Sequence, residues 1–222
     1  MNRLLTLVTL GAAAVALPAS AQYYQIANQL PQLIQPALSG SLNYKGFVET
    51  SYVQGVGNNK ADFLEFSTTQ GFKYSNWFFM GVGAGVDVMF SHTNDGWGQW
   101  NPSSDFDTNH SSTKTSAMIP LFSDFRFNIG GVSSPSFFID VRIGCSFLVG
   151  KDYVAIGDGF LTNNEYFYLK PSMGLRVPVS SKNTSQALNF GVTYQLLTSN
   201  YWYNSRNNVT LNALGVNVSY EW

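Results

Sequence analysis

Eleven ionisable residues carry most of the chemistry this chain of 222 residues can offer: Lys45, Glu49, Glu65, Asp87, Asp124, Arg126, Asp140, Arg142, Lys170, Arg176 and Glu221. Each falls in a stretch of alternating polarity, on the face opposite the large apolar residues. Intramembrane charges of this kind serve either an ion path or proton relay, or a network of salt bridges that satisfies itself and fills the interior. Both signs are interleaved, which favours the network. Glu65 and Asp87 fall on successive stretches, where they could share a proton or a cation; pairing with Arg126 is the expected outcome. A turn near Val132-Ser133 sets Asp124 opposite Arg142 and Arg126 opposite Asp140. The neighbouring even register would oppose Asp124 to Asp140, and like charges directly opposite are disfavoured.

Other constellations carry less. Ser91, His92 and Asp95 hold the residue types of a hydrolytic triad. Adjacent strand residues point to opposite faces, so Ser91 and His92 do not form a nucleophile–base pair by default. Asp105-x-Asp107-x-Asn109 has the opening of a calcium loop, but it lacks the turn glycine, and Ser116 stands where the bidentate Glu belongs. His92 and His110 show no tight ligand spacing with these aspartates. Gly81, Gly83 and Gly85 precede no helix, so they make no nucleotide loop and instead leave room for large neighbouring side chains. No cofactor or metal is expected.

The elements that position these residues begin after an export signal. Asn2-Arg3, an apolar run over 4–17 and Ala19-Ser20-Ala21 read as a secretory signal peptide, residues 1–21. Removing it takes Arg3 with it and shifts the net charge from −1 to −2. Residues 22–42 form a segment expected in the periplasm, with Ile26, Leu30, Leu33 and Leu38 at near-helical intervals interrupted by Pro31 and Pro36. It reads as a short amphipathic piece or a tether.

Residues 43–222 alternate with period two, the mark of strands with two different environments. Eight strands are expected, at about 43–55, 61–74, 77–91, 115–129, 136–149, 164–177, 186–197 and 209–222, with boundaries good to about two to four residues. Short turns at Ser75-Asn76, Gly130 to Pro135 and Pro178 to Ser185 alternate with longer loops over 56–60, 92–114, 150–163 and 198–208. That asymmetry is how transmembrane barrels are built. The outward mid-strand positions hold no charge, as lipid requires, since Lys or Arg at mid-bilayer costs roughly 2–4 kcal/mol. Pro120 and Pro171 each remove a ladder donor and are expected in the outer half of a strand, at a bulge.

Composition agrees. Charged residues make up 11% of the chain, under half the roughly 25% of a soluble domain, while the hydrophobic share of 45% is ordinary. This excludes a disordered chain and a basic nucleic-acid binder, and one Cys excludes a disulfide framework. No apolar run reaches the roughly 18 residues of a membrane helix.

The terminal alternation Val218, Tyr220, Trp222 resembles the signal by which outer-membrane barrels are recognised for insertion. With the leader and the strand count, it makes the chain similar to the small OmpX/OmpA-like barrels. Tyr44-Lys45-Gly46-Phe47-Val48-Glu49, Gly81-Val82-Gly83-Ala84-Gly85-Val86 and Ile119-Pro120-Leu121-Phe122 resemble the porin-like outer-membrane β-barrel domain over residues 43–222.

The resemblance implies an all-β, eight-stranded antiparallel up-and-down barrel, with short periplasmic turns and longer extracellular loops. It implies the outer membrane as location, and as partners outer-membrane lipid and lipopolysaccharide and, during insertion, the barrel assembly machinery. Fold does not give function. An eight-stranded interior is just wide enough for side chains to fill. The expected function is therefore non-enzymatic, structural or surface-interacting, with a narrow pore as the alternative and a lipid A-modifying enzyme third. The longer loops carry Trp97, Trp100, Tyr153, Phe160 and the run Tyr201-Trp202-Tyr203. These belong to the outer aromatic girdle or offer contacts to an extracellular ligand.

Overall fold

The computed structural model describes residues 43–57, 60–94, 111–131, 133–149, 154–156, 159–161, 164–179, 185–199 and 210–222. The signal peptide and the segment 22–42 lie outside the described residues, as do Asp95, Trp97, Trp100, Asp105, Asp107, Asn109, His110, Tyr153 and Tyr201 to Tyr203. The strands are β1 (Asn43–Val56), β2 (Ala61–Lys73), β3 (Phe78–Asn94), β4 (Ser111–Ile129), β5 (Ser136–Val149), β6 (Val154–Ile156), β7 (Gly159–Leu161), β8 (Glu165–Pro178), β9 (Ala187–Thr198) and β10 (Thr210–Glu221). Eight of them close into an antiparallel meander in the order β1-β10-β9-β8-β5-β4-β3-β2, and β6 with β7 forms a separate small hairpin. That hairpin departs from the expected plain loop over 150–163. Three-residue strands are too short for period two to register.

Alternation in sequence becomes alternation in burial. Along β2, Ala61, Phe63, Glu65, Ser67 and Thr69 are buried inside the barrel, while Phe66 and Thr68 between them are exposed. Phe66, Val82, Leu175, Leu214 and Val216 are among the apolar side chains more than half exposed on the outer wall. Exposed apolar side chains recur on all eight wall strands, where a soluble monomer rarely exposes a contiguous apolar patch beyond a few hundred Å². A wall of this kind calls for lipid, not water, as its outer solvent.

The short connections are tied locally. At Ser75-Asn76, the amides of Tyr74 and Ser75 donate to the Phe78 carbonyl at 3.0 and 3.3 Å, and Ser75 Oγ accepts from the Phe78 amide at 3.1 Å. After β4, Gly130 adopts φ +126°, a conformation open to glycine and costly for other residues. The ends carrying these short turns are called the turn end below, and the opposite rim the loop end.

The two prolines differ from expectation. Pro120 and Pro171 lie at the centres of β4 and β8, and neither makes a bulge. The β3–β4 ladder keeps one register from Phe78↔Phe127 to Asn94↔Ser111, with unpaired positions only where Gly85-Val86 faces Ile119-Pro120. The β8–β9 ladder keeps its register across Lys170-Pro171 in the same way. In an antiparallel strand the N–H and C=O of one residue point to the same neighbour. A proline thus weakens only that side, and Pro120↔Ser146 and Pro171↔Val141 remain paired on the other.

Candidate functional site in the barrel lumen

All eleven ionisable residues singled out from the sequence point into the lumen and are at most 6% exposed. Their level along the barrel decides their partners, and three levels can be distinguished.

At the turn end, Glu221 on β10 takes Lys45 from β1 at 2.7 Å and Arg176 from β8 at 2.7 and 3.2 Å. The Lys45 ammonium also donates to the carbonyl of Ser185. Above this triad lies an aromatic shelf. Phe47 and Phe79 meet edge to face with centroids 4.9 Å apart, and the Arg126 guanidinium sits 4.1 Å from the Phe47 centroid and 4.9 Å from that of Phe138. Contacts of this geometry are worth about 0.5–2 kcal/mol, more when desolvated.

The central level is a continuous ionic network. β4 and β5 pair with Asp124↔Arg142 and Arg126↔Asp140, the register that avoids facing carboxylates. Arg142 reaches Glu49 at 2.7 Å, Glu65 at 3.3 Å and Ser67 Oγ at 3.1 Å, with Asp124 and Asp140 each 3.5 Å from its Nε. Lys170, projecting from β8 on the far side of the barrel, reaches Glu65 at 3.0 Å, Glu49 at 3.5 Å and Ser51 Oγ at 2.6 Å. Tyr168 donates to Glu65 at 2.8 Å, Asn217 to Glu49 at 3.0 Å and Gln195 to Asp87 at 3.2 Å. The glycines of β3 give this level its room: a Cβ on Gly83 would lie 2.4 Å from the Phe122 ring, which leans over it while facing the Arg142 guanidinium at 5.0 Å.

One expected pairing is corrected. Glu65 and Asp87 are direct cross-strand neighbours, but the cations on Glu65 are Arg142 and Lys170 rather than Arg126. Arg126 binds Asp140 at 3.0 Å and lies 3.9 Å from Glu49. The reason is competition: Arg126 is held by its cross-strand partner Asp140 and by the Phe47 and Phe138 rings, while Arg142 and Lys170 already occupy Glu65.

The loop end holds a level that the charge pattern did not reveal. Val53, Ala61, Phe63, Met89, Met118, Phe122, Leu148, Tyr166, Tyr168, Leu197, Leu211 and Ala213 form one buried cluster inside the barrel. Its signal was present at the inward positions of the loop-proximal strand halves, where Phe63, Met89, Met118, Leu148, Leu197 and Leu211 replace the charges found deeper. The polar partners Ser51, Ser67, Tyr168, Gln195 and Asn217 were likewise visible as inward positions, but alternation assigns a face and not a contact.

The remaining sequence-marked residues lie elsewhere. Val218 and Tyr220 project outward from β10, and Trp222 closes the seam through reciprocal backbone bonds with Gly46 at 3.1 and 3.2 Å. The Trp222 ring covers Gly46, where a Cβ would meet it at 2.4 Å. Ser91 is buried inside, and His92 pairs along the backbone with Thr113. Among the described residues, no group of three or more His, Cys, Asp or Glu side chains is arranged to hold a metal ion.

No family model matches the chain, and no curated protein does. Solved structures do. Neisserial surface protein A superposes with a TM-score of 0.52 at 9% identity, over 80% of this chain and 95% of that one. The outer membrane enzyme PagL gives 0.47 at 12% identity, over 78% and 97%. The N-terminal β-barrel domain of Pseudomonas aeruginosa OprF gives 0.42 at 8%, over 80% and 97%. Together with the closed eight-strand meander and its apolar outer wall, the first of these likenesses fixes the architecture: in fold, this chain is a small, closed, eight-stranded antiparallel β-barrel of the kind found in outer-membrane proteins.

Proposed function

We propose that this protein is a non-enzymatic, integral outer-membrane barrel whose closed lumen serves structure and whose loops serve contact with the surroundings. The observation that carries this reading is the stacking of a largely apolar level on an ionic one. An ion crossing the loop-side cluster around Phe63, Met89, Met118 and Leu197 would have to shed most of its water with no charged group to replace it. The deeper charges are engaged with one another across the lumen, as between Lys170 and Glu49. They are a brace, not a conduit.

In this reading the turn end faces the periplasm and the outer wall meets phospholipid and lipopolysaccharide. The signal peptide directs export, and Val218, Tyr220 and Trp222 present the chain to the barrel assembly machinery. An extracellular ligand would be met by the loops carrying Trp97, Trp100 and Tyr201 to Tyr203. The non-enzymatic reading is supported by the burial of Ser91 inside the barrel and by its adjacency on one strand to His92, since neighbouring strand positions do not form a nucleophile–base pair by default.

Single-channel recording on the refolded full-length protein tests the proposal. The expected result is a flat baseline without discrete steps. A steady, ion-selective conductance altered by Glu65→Gln or Arg126→Met would overturn the closed lumen. A change of lipid A mass on expression, lost in His92→Ala, would overturn the non-enzymatic assignment.

A further inference from the structure

Among the described residues, the central level of the lumen holds five carboxyls, Glu49, Glu65, Asp87, Asp124 and Asp140, against three cationic side chains, Arg126, Arg142 and Lys170. All eight are at most 1% exposed. The closest contacts of the three cations fall on three of the acids. Glu49 is contacted by Arg142, Lys170 and Arg126, Glu65 by Lys170 and Arg142, and Asp140 by Arg126 and Arg142.

Asp87 and Asp124 are left over. Asp87 accepts one hydrogen bond, from Gln195, and its Oδ1 has no donor. Neither oxygen of Asp124 has a donor, and its nearest cationic atom is Arg142 Nε at 3.5 Å. Each of the two stands beside another carboxyl. Asp87 is the direct cross-strand partner of Glu65, and Asp124 is diagonal to Asp140, two positions from its own partner Arg142. Asp140 Oδ1 also lacks a donor.

We propose that the folded barrel is loaded with two protons, one held on Asp87 and shared with Glu65, the other held on Asp124 and shared with Asp140. Two orphaned acceptors then become donors to the carboxylates beside them. The five acids carry three negative charges, equal to the three cations, and the level is neutral. The general rules point the same way: a charge removed from water must be paired, and two carboxylates in contact do not both ionise. The other groups turned toward these acids are Lys170 and Tyr168 from β8 and Gln195 from β9 for Asp87, and Arg142 from β5 with Arg126 from β4 for Asp124. Only Lys170, Arg142 and Arg126 among them are cations, and each has its closest carboxylate on another acid, Glu65, Glu49 and Asp140 respectively.

Infrared spectroscopy of the full-length protein folded in lipid vesicles at neutral pH tests this. A protonated-carboxyl carbonyl band is expected, shifting down in D₂O. Asp87→Asn and Asp124→Asn should each remove about half of it while keeping the heat-resistant fold, because an amide is a neutral replacement for a neutral acid. Absence of the band in the unaltered protein would overturn the proposal, making all five acids charged and some other cation their balance. So would a band undiminished in both aspartate variants. Should either variant fail to fold, the unaltered protein's band still decides between protonated and fully ionised acids. A missing band in a barrel that still shows no conductance would leave the closed-lumen function standing.

Discussion

Replacing Arg142 by Met probes the network at its most connected point. The guanidinium makes three hydrogen bonds, to Glu49 at 2.7 Å, Glu65 at 3.3 Å and Ser67 at 3.1 Å, and none of its surface is exposed. Two of these bonds are charge-assisted and worth about 1.5–3 kcal/mol each, the third about 0.5–1.5 kcal/mol. Lys170 stays on both glutamates after the substitution, so neither is left wholly unpaired. That places the expected loss at about 3–5 kcal/mol, the range for removing one partner of a buried ion pair. Equilibrium unfolding by denaturant in lipid vesicles, followed by tryptophan fluorescence, measures it. The mobility difference between unboiled and boiled samples on a denaturing gel reports the folded fraction. Adding Glu49→Gln removes the acid that loses most, and the double variant should recover a coupling of about 0.5–3 kcal/mol. A single-variant loss below about 1 kcal/mol, or a double variant equal to the sum of the two singles, would refute a network centred on Arg142.

Two further predictions concern the wall. Val216→Arg, at an outward mid-strand position of β10, should lower stability by about 2–4 kcal/mol in vesicles of ordinary thickness; an unchanged unfolding midpoint would mean that this face does not meet hydrocarbon. Gly46→Val should push the Trp222 ring from its seat and loosen the β1–β10 seam by about 1–3 kcal/mol. It should be read as a lower folded fraction on an unboiled gel, with partial recovery when Trp222→Ala is added.

How far the sequence carried depends on what alternation encodes. It assigns a face to each residue, so β5 is found over Ser136–Val149 as expected, and the register of Asp124 with Arg142 followed from repulsion alone. β3 and β4 run further toward the loops than expected, pairing His92↔Thr113 and Asn94↔Ser111. Beyond the lipid both faces of a strand are polar, and the pattern that marks it fades. Contacts across the lumen are not encoded by alternation either, which is why the sequence pairs Glu65 and Asp87 with Arg126 while the barrel gives Arg126 to Asp140 and Glu65 to Arg142 and Lys170. The apolar level escaped notice because its side chains have the same character as the lipid-facing ones and differ only in parity. Pro120 shows a further blind spot. From sequence a proline reads as an irregularity, while in the barrel one intact neighbour keeps its strand in register.

The apolar level is built entirely from wall strands. Among the described residues, all twelve of its members belong to β1–β5 or β8–β10. Under the proposed closed lumen, the barrier lies in the strands and the contacts lie in the connections. Exchanging sequence between Asn94 and Ser111, or between Thr198 and Thr210, is then expected to alter what the protein presents while leaving the strand-borne apolar level in place, which makes the barrel a mounting frame for diversified or grafted segments.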